Sequence, residues 1–271
     1  MRVEPVSQAT QGATLEYLGR SPYANVFIAH TLLHGPARSA QGSTVVVLDG
    51  DEVKGAAYFG RQLVIAAGDD ALEALARHAR ERGGERMIVG ERETIRAFWK
   101  LVEAWHARPR LIRDRQLVMM VDRRRLMPFS DRVVVRHARP EEWRVITDGS
   151  AGLIMQELGY DPRRGSPDFA ANVRQTIVRD LWWAGVARGE ICFICSLGPW
   201  SEQTIQLQGV WTPPPMRGRG LATDSLGAIC DRLLDVSPTL SLYVNDFNEK
   251  AIALYRRVGF EHVADFQTLL F

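Results

Sequence analysis

The sequence predicts an α/β protein built from two similarly ordered halves, and three observations carry that prediction. Short apolar runs of strand length alternate with segments whose apolar residues recur at helical spacing. These elements come in the same order twice: three strands, a helix, a strand, a helix and a final strand. A length of 271 residues suits one large domain or two of ordinary size, and 46% hydrophobic against 24% charged residues supplies a core.

In the first half, Ala24–Leu33 reads as helix and the rest of the first 43 residues has no clear pattern. Thr44–Leu48, Val53–Phe59 and Gln62–Ala67 read as strands, the first two joined by the turn residues Asp49-Gly50-Asp51-Glu52. Asp69-Asp70 place carboxylates where a helix N-terminus favours them. Leu72, Leu75, Ala76 and Ala79 form that helix's apolar stripe, and Gly83-Gly84 end it. Arg86–Val89 is a strand. Ile95, Phe98, Trp99, Val102 and Trp105 mark a second helix, and Gln116–Val121 a closing strand. The basic run Arg123-Arg124-Arg125, with Pro128 nearby, reads as a solvated linker, which sets the domains at 1–130 and 131–271.

The second half opens with a strand at Val133–Val135. Pro140-Glu141-Glu142 is a helix start, with Gly149 and Gly152 expected to interrupt before Leu153–Leu158. Ser166-Pro167-Asp168 is expected to start a helix carrying Phe169, Val173 and Ile177. Leu181–Ala187 and Ile191–Ser196 form a hairpin about Arg188-Gly189. Thr204–Val210, a helix at Leu221–Leu234, a strand at Leu240–Val244, a helix at Asn248–Val258 and a strand at Val263–Phe271 follow.

Composition narrows the function. A formal net charge of +2 is too small to argue for nucleic acid. No apolar run approaches the ~20 residues that span a bilayer, and the first residues lack the apolar core of a signal peptide. A soluble, cytoplasmic protein with no membrane partner is expected. Cys192 and Cys195 have the spacing of a metal or redox pair, but they sit in a strand-like run. Alternation along a strand is expected to point them to opposite faces, so no metal site is expected.

The chemistry is carried by Gly209-Val210-Trp211-Thr212-Pro213-Pro214-Pro215-Met216-Arg217-Gly218-Arg219-Gly220-Leu221-Ala222. A strand ends near Thr212, the prolines forbid helix, and a glycine loop opens a helix. Free backbone N–H groups at such a start bind anions. Gly218 and Gly220 let the backbone approach a phosphate, Arg217 and Arg219 add charge, and a pyrophosphate is the natural ligand. A dinucleotide fold would also read Gly218-x-Gly220 followed by Asp246 after the next strand. Its turn is tight, however, whereas residues 213–217 intervene here.

Downstream, Val244-Asn245-x-x-Asn248-x-x-Ala251-x-x-Leu254-Tyr255-x-x-x-Gly259-Phe260 follows at the spacing of one strand–helix unit. Together with Arg217-x-x-Gly220-x-Ala222, this segment resembles the GCN5-related N-acetyltransferase (GNAT) family over roughly Val133–Phe271. The arrangement resembles the family's tandem type with a degenerate N-terminal copy. That resemblance implies two GNAT-like domains, each a mixed, mostly antiparallel twisted sheet flanked by helices. It implies that the backbone of Val210, Trp211 and Thr212 holds the pantetheine arm of acetyl-CoA or another acyl-CoA. Arg217, Gly218, Arg219, Gly220, Leu221 and Ala222 would hold the pyrophosphate, Asn248 would contact the cofactor, and Tyr255 would face the sulfur. The implied reaction is acyl transfer, without metal, to the amine of a small molecule or peptide. The Val210 N–H would serve the acyl oxygen and Tyr255 would act as general acid.

For the general base, Gln206 and Gln208 stand where a carboxylate is common, leaving Glu157, Glu202 or water. Trp182 and Trp183 read as packing rather than an acceptor pocket. The matching loop of the first half, Ala66-Ala67-Gly68-Asp69-Asp70-Ala71, opposes a phosphate with two carboxylates, so the first half is expected not to bind CoA. A non-catalytic acyl-CoA sensor and a nucleotide-dependent oxidoreductase are the alternative uses of this pattern.

Overall fold

The computed structural model describes residues 1–35, 43–165 and 168–271. Its strands are β1 (Arg2–Pro5), β2 (Thr44–Asp49), β3 (Glu52–Phe59), β4 (Leu63–Ala67), β5 (Met87–Glu91) and β6 (Leu111–Asp122), then β7 (Val134–His137), β8 (Trp182–Ala187), β9 (Glu190–Trp200), β10 (Ile205–Trp211), β11 (Thr239–Asn245) and β12 (Glu261–Leu270). The helices are α1 (Gln11–Leu18), α2 (Pro22–His34), α3 (Asp69–Arg82) and α4 (Arg92–Val102), then α5 (Trp143–Leu158), a single turn α6 (Pro162–Gly165), α7 (Phe169–Val178), α8 (Leu221–Leu233) and α9 (Glu249–Val258).

Among the described residues the strands form one sheet in the order β1-β2-β3-β4-β5-β12-β6-β11-β10-β9-β8-β7. Neighbours run antiparallel except β4–β5 and β10–β11. Read from either end, the order gives the same succession of roles. The two final strands are exchanged: β12 lies beside β5 of the first half, and β6 beside β11 of the second. They also pair with each other along most of their length.

Alternation divides the sheet's side chains between two layers of helices. In β2, Val45 and Val47 face α3 and α4, while Val46 and Leu48 face α1 and α2. The second half repeats this, with α8 and α9 covering one face over Leu117, Met119, Val121, Leu242 and Val244. On the other face, α5 and α7 cover Trp182 and Ile194.

Several expectations are corrected. The α5 helix runs unbroken through Gly149 and Gly152. A Cβ on Gly149 would stand 2.8 Å from the Trp211 ring and 2.9 Å from Ile194, so this glycine buys close packing of helix on sheet, not an interruption. The β6 strand begins at Leu111, five residues before Gln116, and β1 and α1 lacked a readable pattern. The helix start expected at Ser166-Pro167 lies outside the described residues, although α7 carries Phe169, Val173 and Ile177 as expected. The run at 123–125 is exposed in the connection after β6, as expected, and it is also anchored: Arg123 pairs with Asp231 and Asp235, and Arg125 with Asp122 and Glu261.

Cys192 and Cys195 are not on opposite faces. A bulge pairs Gly185 with Phe193 but Val186 with Ile191, which leaves Cys192 as the extra residue. Both thiols therefore meet α8, Cys192 at Ser225 (3.9 Å) and Cys195 beside Cys230. All three cysteines are free and buried, and burial pushes Cys195 up to about 12.

Candidate functional site

The sheet opens where its second parallel pair parts. β10 and β11 are in register only at Ile205–Leu240 and Gln206–Ser241. Beyond that point β10 bulges, pairing Gln208 with Ser196 and then Trp211 with Ile194, with one residue more than β9. Gly209 makes this bend at φ +60°, and a Cβ there would also stand 3.2 Å from the Trp182 ring. The two strands therefore diverge around a cleft of about 940 Å³. Val210, Trp211 and Thr212 form one lip, with Tyr243, Val244 and Asn245 opposite.

At the end of β10 the prolines make a single 3-10 turn, Pro214–Met216. The Arg217 Nε donates to Thr212 O at 3.0 Å and closes the loop on the strand end. Gly218 (φ +74°) and Gly220 (φ +77°) are both left-handed. Met216 and Arg217 N–H bond inside the proline turn, and Thr223 and Asp224 N–H return to Gly220 O. Among the described residues, the N–H groups of residues 218–222 make no such bond, and they open α8, a helix of 13 residues. Exposed amides, left-handed glycines and a helix N-terminus together make an anion cradle.

Asp224, in the first turn of α8, would oppose an anion if its charge were free. It is not: the Ser130 N–H reaches it at 3.1 Å and the Arg132 Nε at 2.9 Å. Burial alone would raise this carboxyl, but the Ser130 hydrogen bonds and the Arg132 guanidinium outweigh it and hold it below the usual range.

The α9 helix begins at Asn248, whose Oδ1 accepts from the Ala251 N–H at 3.3 Å. Two turns beyond Asn248, Tyr255 lies on the cleft wall, 7% exposed, its ring 5.9 Å from Phe260. Nothing among the described residues hydrogen-bonds its hydroxyl. Burial pushes this phenol well above its ordinary value, and the nearby Glu157 carboxylate adds to the shift. Tyr255 is thus protonated at neutral pH. Glu157, on the facing α5 helix, is itself raised by burial, partly offset by Arg113.

Of the residues expected to form the site, all but Arg219 line this one cleft; the Arg219 Nη1 instead reaches Met216 Sδ at 3.9 Å. Glu157 and Gln208 are on the wall, whereas Glu202 and Gln206 are not, and the Gln208 Nε2 donates to Gln206 Oε1 at 2.9 Å. Trp182 and Trp183 are 6% exposed and packed in two different cores. Asp246 is also off the wall, and the mostly antiparallel sheet is not the parallel sheet a dinucleotide fold requires.

Sequence reasoning missed Arg113, Gln116 and Tyr243. Gln116 donates to Asn245 Oδ1 at 3.0 Å and accepts from Thr268 at 2.6 Å, so it is fixed in the cleft floor. Arg113 and Gln116 come from β6, a strand of the first half, and only knowledge of the exchange would have drawn attention to them.

In the first half, the equivalent helix start is built differently. Gly68 is extended (φ −73°), its N–H bonds Lys54 O at 3.3 Å, and it lies against the Tyr17 hydroxyl. Asp70 Oδ1 folds back to within 3.0 Å of where a Gly68 Cβ would stand. Asp69 and Asp70 place two carboxylates in the first turn of that helix.

Residues 160–260 match the model of the Acetyltransferase (GNAT) family, and residues 42–146 match that of a domain of unknown function (DUF4081). No curated protein sequence matches the chain. Solved structures share the fold over nearly the whole length. An acetyltransferase from the GNAT family of Colwellia psychrerythraea aligns at 11% identity over 100% of both chains, with a TM-score of 0.59. A tandem GNAT protein from the clavulanic acid biosynthesis pathway aligns at 15% identity over 99% of this chain and 98% of that one, with a TM-score of 0.57. A Drosophila protein aligns at 11% identity over 99% and 98%, with a TM-score of 0.69. The GNAT resemblance read from the second half's motifs is therefore met by a family match in that half and by the fold of the whole.

Proposed function

We propose that the second half is an acyl-CoA-dependent N-acyltransferase working by direct attack in a ternary complex, and that the first half is a degenerate unit of the same fold that binds no CoA. The observation that carries this reading is the convergence of two groups on one splayed gap. The cradle of N–H groups at residues 218–222 and the Tyr255 phenol line the same cleft, on either side of the parted strands.

In this reading the cradle and Arg217 take the pyrophosphate, and the free edge of Val210–Thr212 takes the pantetheine amides in the manner of a missing strand. The thioester carbonyl lies by the Val210 N–H, which donates to the oxygen as negative charge develops. The amine nitrogen attacks that carbon, a C–N bond forms and the C–S bond breaks. The proton lost from nitrogen passes to Glu157, directly or through water. The departing thiolate receives the Tyr255 proton. A phenol raised by burial is a weak acid, so it donates only once a thiolate is forming beside it. Holding the two together supplies the advantage.

The unit boundary near 130/131 then falls in the connection between β6 and β7, with the two last strands exchanged across it. The test is thiol release from acetyl-CoA in the presence of a panel of amines, alongside calorimetric binding of acetyl-CoA and NAD. Acetyl-CoA binding with amine-dependent thiol release supports the reading. Binding without release from any amine indicates a sensor, and tighter binding of NAD indicates a nucleotide enzyme.

A further inference from the structure

The acceptor side of the cleft holds a cation that the transfer chemistry above does not use. Arg113 leaves β6 and enters the cleft from the opposite layer to Tyr255, beside Tyr243 and Glu157. Its side chain is only 12% exposed. One nitrogen, Nη2, donates to the Glu157 carbonyl oxygen at 3.3 Å and lies 3.6 Å from the Glu157 carboxylate. Among the described residues nothing accepts from its Nε or Nη1. Arg113 lines the cleft, so these two groups are available to a ligand there. Their fork geometry matches a carboxylate, which takes two parallel N–H···O bonds.

The neighbouring Glu157 carboxylate is beyond ordinary hydrogen-bond length from Nη2, so it does not satisfy the fork. It does place a negative group next to the positive one. The wall thus offers a site for an anion and, a few ångströms away, a site for a cation, both on the α5 side of the gap and facing Tyr255 across it.

We infer that the acceptor is an amino-carboxylate, whose carboxylate is held by Arg113 while its amine lies between Glu157 and the thioester carbon. This inference rests on the acyltransferase reading and narrows its substrate class. Arg113 is then a specificity-determining residue that touches the acceptor and takes no part in proton transfer. The exchanged strand then ties the first half to the acceptor site, because β6 delivers this guanidinium.

The test compares matched acceptors on the full-length protein with acetyl-CoA. Free amino acids and their C-terminal amides are assayed for thiol release and for thermal stabilisation of the CoA complex. The expected result is a preference for acids over amides of at least about tenfold in kcat/KM, because a hydrogen-bonded charge pair is lost with the amide. Arg113→Lys should retain part of the preference and Arg113→Met should abolish it, with acetyl-CoA affinity unchanged in both. The acid-to-amide ratio is internal to each variant, so a loss of overall stability does not obscure it. Amides used as well as acids, or Arg113→Met keeping the preference, would overturn the inference. So would a protein that binds acetyl-CoA yet neither acylates nor is stabilised by any acid or amide. Failure to bind acetyl-CoA at all would instead bring down the acyltransferase reading beneath it.

Discussion

Cutting the chain before Pro128, in the exposed connection after β6, should yield two pieces that fold only together. The fragment 128–271 loses β6, and with it the strand that lies between β11 and β12. Leu117, Val118, Met119, Met120 and Val121 of that strand are each 7% exposed or less. Burial of such side chains stabilises by about 1.5–3 kcal/mol apiece, so their removal costs roughly 8–15 kcal/mol. That equals the whole stability of an ordinary domain, about 5–15 kcal/mol. The two ladders of β6 are lost as well, which exposes backbone groups on β11 and β12. The fragment alone should show no cooperative melting transition and no acetyl-CoA binding. Co-expressed with 1–127, it should co-purify in a one-to-one complex that binds acetyl-CoA as the intact chain does. A fragment 128–271 that melts cooperatively by itself and binds acetyl-CoA with unchanged Kd would refute the structural role given to the exchange.

Four further outcomes are expected. Arg217→Ala should weaken acetyl-CoA binding by up to about tenfold at low salt and by less at high salt, because the contact is exposed and screened; calorimetry at two ionic strengths reads this. Gly220→Ala should cost about 1–2 kcal/mol of stability through its left-handed φ, and should weaken acetyl-CoA binding through the shifted cradle; urea unfolding and calorimetry report the two effects separately. Tyr255→Phe should lower kcat by about a hundredfold or more with acetyl-CoA affinity little changed, and an unchanged kcat would remove Tyr255 from the reaction. Glu157 acts as a base only when ionised, and its raised pKa moves that condition upward, so kcat/KM should fall as pH drops through a value above the usual ~4.3 of a glutamate; Glu157→Gln should lose that acid limb, and a limb that survives would assign it elsewhere.

How much of this was legible follows from which interactions are local. The strands and helices from Thr44 onward were readable because alternation and helical spacing are local signals, as at Val45–Leu48 and at Leu72, Leu75 and Ala79. The cradle was readable for the same reason: Gly218, Gly220 and the start of α8 lie within a few residues. The unbroken α5 was not, because Gly149 takes its meaning from the Trp211 ring on β10, far along the chain. The facing of Cys192 was missed because a bulge shifts the period of β9 by one. Arg113 and Gln116 carry no motif of their own, and they enter the cleft only because a strand crosses from one half to the other.

On the proposed reading the two halves also differ at the centre of the sheet. Gln116 and Phe266 are register partners in the β6–β12 ladder, at the centre of the sheet. Each faces the fifth strand of the opposite half: Gln116 meets Asn245 on β11, and Phe266 meets Glu91 on β5. These are equivalent positions, yet one is an amide pair hydrogen-bonded at 3.0 Å and the other sets a buried ring against a carboxylate-bearing residue. Phe266 packs into the core beneath α1 and α2, so the floor that is polar in the second half is filled by hydrocarbon in the first. The acidic helix start at Asp69-Asp70 is therefore not the first half's only departure. Removing those carboxylates would restore a neutral anion site above a closed floor, and a double substitution of Asp69 and Asp70 to Asn should still bind no acetyl-CoA there. Stoichiometry of two acetyl-CoA per chain in that variant, measured by calorimetry, would show that the loop alone had silenced the first half.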